Sequence, residues 1–107
     1  MNANDLIDAG YKKFQDSFKK ADCAYQKRVG STRYFINVYY YDFRKFNINA
    51  KETFECELNF DMTEDRHDYI HLLFNCTDLT IEQLEDKAEW LFTTLGCSDY
   101  EWGIEDD

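Results

Sequence analysis

Residues 52–60 hold the plainest pattern in the chain. Phe54, Cys56, Leu58 and Phe60 alternate with Glu55, Glu57 and Asn59. A period of two sends the apolar set to one face of a strand and the carboxylates to the other. The segment therefore reads as an antiparallel strand with one buried face. Upstream, residues 33–43 crowd Tyr34, Phe35, Ile36, Val38, Tyr39, Tyr40, Tyr41 and Phe43 into eleven positions. Aromatic and β-branched residues suit a pleated surface, and apolar groups on both faces predict a central strand. Residues 23–29 are β-like and stop at the turn cluster Gly30-Ser31-Thr32, and residues 69–74 make a fourth strand. The polar stretch 44–51 and the charged stretch 61–68 are connections.

The period changes at both ends of the chain. Ile7, Tyr11, Phe14 and Phe18 recur at helical steps and predict a helix from Asp5 to Lys20. Asn4 is its candidate N-cap, and Gly10 counts as an internal cost of about 1 kcal/mol. A second helix opens at Thr80. Thr80 and Gln83 have capping-box spacing, and Ile81, Leu84, Ala88, Leu91 and Leu95 form a continuous stripe up to Gly96, placed to end it. The order is helix, four strands, helix. Short connections favour neighbour pairing. The expected fold is α+β: a two-layer sandwich in which a four-stranded antiparallel meander carries both helices on one face. Residues 1–107 make a single domain, with 98–107 an acidic tail whose Tyr100, Trp102 and Ile104 give it something to pack.

Composition supports a folded chain. Nine Phe, eight Tyr and two Trp among 107 residues, with no Pro and four Gly, exclude a disordered or linker-like sequence. No apolar run reaches the roughly 18–20 residues of a membrane span, and the first residues lack a secretory pattern. Cys23, Cys56, Cys76 and Cys97 form no Cys-x-x-Cys pair, which suits free thiols in a reducing cytoplasm.

Charge adds the first functional information. The net charge is −10, which disfavours direct contact with nucleic acid or an anionic membrane. Residues 1–51 hold ten basic and five acidic groups, a net of +5. Residues 52–107 hold two basic and seventeen acidic groups, a net of −15. Glu82, Glu85, Asp86 and Glu89 share one side of the second helix, and Asp99 and Glu101 follow in the tail. A row of fixed negative charge resembles a nucleic-acid backbone and fits a partner with a basic surface; an acidic face that only aids solubility is the plainer alternative. A second candidate surface is the sheet face away from the helices. Glu55 and Glu57 point there, together with either Tyr34, Ile36, Val38 and Tyr40 or Phe35, Asn37, Tyr39 and Tyr41. An exposed patch containing Tyr39 and Tyr41 would suit a homodimer; cross-strand packing is the alternative.

Catalytic chemistry finds little support. His67, His71 and Cys76 lack metal-ligand spacing, and Glu55 with Glu57 on an open face share one environment, unlike an acid/base pair. No phosphate loop, nucleophile elbow or His-Glu-x-x-His occurs. The expectation is a non-enzymatic protein without cofactor.

The strings Tyr25-Gln26-Lys27-Arg28, Tyr34 through Phe43, and Leu95-Gly96-Cys97 before Tyr100-Glu101 resemble those of small, acidic phage and prophage proteins. The resemblance covers about a quarter of the chain and brings no residue of known chemical role. It implies a product acting in the host cytoplasm that binds and inhibits a host nucleic-acid-handling or defence protein, in the manner of anti-CRISPR and anti-restriction proteins. The alternative it leaves open is a homo-oligomeric structural or accessory phage protein.

Overall fold

A computed structural model describes residues 1–15, 20–28, 35–61 and 69–94. The elements run α1 (Ala3–Asp8), β1 (Lys12–Lys13), β2 (Cys23–Arg28), β3 (Phe35–Asp42), a 3-10 turn (Phe43–Lys45), β4 (Glu52–Asp61), β5 (Tyr69–Asn75) and α2 (Ile81–Thr94). The protein is α+β, and among the described residues its sheet has five antiparallel strands in the order β1-β2-β3-β4-β5, one more than the sequence pattern predicts.

The extra strand comes from the early end of α1. The side chain of Asn2, not Asn4, caps the helix by accepting from the Asp5 N–H at 2.9 Å. Eight residues after that cap the chain turns through Gly10 at φ +97°, where a side chain is strained. The Gly10 N–H donates to Ile7 O and the Tyr11 N–H to Leu6 O, both at 3.0 Å. That pair of bonds is the Schellman stop. Leu6 and Tyr11, which flank it, are both buried in the core. Gly10 thus ends the helix, and the expected Ile7–Tyr11–Phe14 stripe does not form. Ile7 is half exposed, while Lys12 and Lys13 pair with Gln26 and Tyr25 of β2. Phe18 lies outside the described residues, as do the turn at 30–32 and the connection at 62–68.

β3 is central, as its two apolar faces require. It pairs Val38 with Tyr25 on one side and with Cys56 on the other. The alternation in β4 is also realised through its first seven residues: Phe54, Cys56 and Leu58 are buried, while Glu55 and Glu57 are half-buried on the other side. The buried cluster draws Tyr25, Ile36, Val38, Phe54, Cys56 and Leu58 from one sheet face, Leu6 from α1, and Leu84, Ala88 and Phe92 from α2. One core therefore lies between the sheet and both helices.

Candidate functional site

α2 begins as its sequence dictates. The Thr80 N–H donates to Gln83 Oε1 at 3.0 Å and the Gln83 N–H donates to Thr80 Oγ1 at 3.1 Å, a reciprocal capping box. At about 100° per residue, Leu84, Ala88 and Phe92 fall on one side and are fully buried. Phe92, absent from the stripe read in the sequence, completes that side; Ile81 and Leu91 pack at its margins. Leu95 and Gly96 lie beyond the described residues.

The opposite side carries Glu82, Asp86 and Glu89, all exposed and without an ion pair among the described residues. They share a sector about 100° wide with Trp90, four residues on from Asp86. Trp90 is 64% exposed. Trp90 belongs to neither the apolar stripe nor the acidic row expected from the sequence. It is set apart by an offset of two from the core side chain Phe92, which turns it outward on a helix.

Glu85 does not belong to this row. Its position lies about 60° from Glu82 toward the core, and its carboxylate is claimed from inside. Lys27 Nζ of β2 pairs with Glu85 Oε2 at 2.8 Å, and the Tyr11 hydroxyl donates to the same oxygen at 3.0 Å. Burial, followed by the Glu85 charge, pushes the Tyr11 hydroxyl far above its ordinary pKa, so it stays a donor. Glu85 is thus a clasp between α2 and the sheet. Lys87, the nearest cation in sequence to the row, stands 4.9 Å over the Phe74 ring. Among the described residues the exposed acids keep their charge unrelieved.

The open sheet face carries the set Phe35, Asn37, Tyr39 and Tyr41. It is not an exposed aromatic patch. Tyr39 is 3% exposed and Asn37 6%. The Tyr39 hydroxyl donates to Glu57 Oε1 at 2.9 Å, the Phe14 ring meets Tyr39 edge-on at 6.0 Å, and Gln26 Nε2 donates to Asn37 Oδ1 at 2.9 Å. Tyr41 is half-buried and stacked on Phe43. Cross-strand packing, the plainer of the two readings, describes this face.

The stretch 44–51 is the expected connection, here between β3 and β4, but it presents two apolar side chains to solvent. Phe46 and Ile48 are 79% and 86% exposed, on a tightly braced turn. Arg44 grips both Asp42 oxygens at 2.8 Å and reaches Glu52 at 3.3 Å, while Lys45 meets Asp22 at 2.6 Å. The Arg44 guanidinium holds the Asp42 carboxyl down at about 2. The Asp42 N–H and then Lys45 lower that of Asp22. The Tyr40 hydroxyl, donating to Glu52, is pushed up to about 12. Arg44 and Lys45 are thus spent on Asp42, Glu52 and Asp22, and Lys27 on Glu85, so none of these three cations meets Glu82, Asp86 or Glu89.

Cys23, Cys56 and Cys76 are free thiols. Burial pushes Cys56 well up and Cys76 to about 12, so neither is a nucleophile near neutral pH. Among the described residues no three His, Cys, Asp or Glu side chains gather as metal ligands, and no helix is long and apolar enough to cross a membrane. His67, Asp99 and Glu101 lie outside the described residues. A shallow groove of about 380 Å³ beside the braced turn is lined by Met1, Arg44, Ala50, Lys51, Glu52, Phe54 and Thr77. Comparison with family models, curated proteins and solved structures finds no match to the chain.

Proposed function

We propose that the protein is a non-enzymatic binder that docks the outer face of α2 on a basic surface of a host nucleic-acid-handling or defence protein. The observation carrying this reading is the sector holding Glu82, Asp86 and Glu89 beside exposed Trp90, with no cation among the described residues to neutralise it. Three charges across seven residue steps span about 10 Å of helix. That is roughly one charge per 5 Å, against one per 3.4 Å along a single DNA strand. The row is a sparse copy of a phosphate backbone, and Trp90 supplies what phosphates lack. A rigid aromatic face takes up a Lys or Arg stem and its cation together, and tryptophan is a favoured anchor at interfaces. The likeness to acidic phage proteins supports the choice of a host defence protein as target. The buried state of Tyr39 weighs against a homo-oligomer built on the open sheet face.

Affinity capture from a bacterial host lysate, followed by titration of the recovered complex, tests the reading. The triple variant Glu82→Gln, Asp86→Asn, Glu89→Gln should weaken the complex roughly tenfold or more and flatten its salt dependence. Duplex DNA should compete with the native protein. Equal affinity and equal salt dependence for the variant would remove the acidic face from the function.

A further inference from the structure

β5 ends the sheet with one side unpaired among the described residues. Its inner side is satisfied by β4 in a continuous register from Glu55↔Asn75 to Asp61↔Tyr69. In such a ladder every second residue aims its N–H and C=O outward. A seven-residue strand is about 24 Å long, so this is a substantial row of open donors and acceptors. Natural sheets guard such edges with lysine, proline, bulges or brevity. The sequence Tyr-Ile-His-Leu-Leu-Phe-Asn has no Pro, Lys, Arg, Asp or Glu. Leu73 is 48% exposed on it.

We infer that β5 is a self-pairing edge, joining two copies antiparallel about a two-fold axis into one ten-stranded sheet. A second copy fits because the strand opposes itself without any like-charge clash. At full overlap Leu72 meets its own copy, Leu73 meets His71, and Phe74 meets Ile70. The net charge of −10 per chain acts against association, and distance limits its effect. The strand acids opposite β5 in the register, Glu55, Glu57 and Asp61, sit on β4, and the two β4 strands stand three strand spacings apart, about 14 Å. That exceeds the screening length of about 8 Å at physiological salt. A two-fold contact closes on itself and leaves β1 at each end, so growth stops at two copies.

Sedimentation velocity on the full chain from about 1 to 200 µM should show the mass doubling as concentration rises, consistent with a micromolar pairing. Added salt should strengthen the pairing, because it screens two anionic bodies, whereas binding of a basic partner to α2 should weaken with salt. The two proposals therefore fail separately. Leu73→Lys should return the protein to one-chain mass. It places the new cation opposite Glu57 in the β4 register, so folding should survive, and a native circular dichroism spectrum checks that. Amide exchange reads the edge itself: the outward amides of β5 should be protected only at high concentration. A single-chain mass throughout would overturn the inference, as would a dimer in which the outward β5 amides exchange freely.

Discussion

At one edge of the sheet stand two residues, Lys12 and Lys13; at the other stand seven, Tyr69–Asn75, without a lysine, arginine or carboxylate among them. The first edge is short, doubly charged and preceded by a chain reversal that turns inward. Tyr11 is buried directly before it, its hydroxyl fastened to Glu85, and Lys27 lies 5.5 Å over its ring while pairing with the same carboxylate. The second edge has no such closure among the described residues. The difference shows how one chain can seal a sheet at one side and leave it able to extend at the other. The sealed side draws its stability from a side-chain clasp; the open side offers backbone groups.

Breaking the sealed edge should have the largest effect. Tyr11→Ala removes a fully buried ring and orphans the Lys27–Glu85 clasp, and should cost about 3–5 kcal/mol, by analogy with other buried aromatic truncations. Urea denaturation measures it, and a loss below about 1 kcal/mol would show that the clasp does not hold the edge. Gly10→Ala is next. The added methyl meets nothing closer than Lys27 Cε at 4.0 Å, so the effect isolates the backbone strain of φ +97°, about 1–2 kcal/mol. A neutral result would mean that the turn relaxes easily out of the Schellman geometry. The smallest effect sharpens the comparison. Lys12→Thr with Lys13→Thr should leave the association state unchanged, because two residues offer too few backbone groups to pair. New β1-dependent association in sedimentation would show that charge, rather than brevity, guards that side.

The acidic face and the clasp divide a group that looks uniform in the sequence. Glu82, Glu85, Asp86 and Glu89 are neighbours by spacing alone, but 60° of helix rotation puts Glu85 within reach of β2 and leaves the others in water. Trp90 was legible from its phase relative to Leu84 and Ala88, once Phe92 is assigned to the core. The exposure of Phe46 and Ile48 was not legible, because an apolar residue in a polar stretch gives no sign of which way its turn faces.

Local periodicity and capping chemistry alone determined the β4 alternation over 52–58, the centrality of β3, the capping box at Thr80 and the α+β class. Each depends on residues within a turn or a few positions of one another, and physics at that range is written in order along the chain. Tertiary structure decided the rest: that the chain after Gly10 pairs with β2 instead of continuing a helix, that Tyr39 is covered, and that Glu85 turns inward. In each of these the deciding partner is far away in sequence, and only the folded arrangement brings it close enough for a hydrogen bond, a charge or a packed ring to choose.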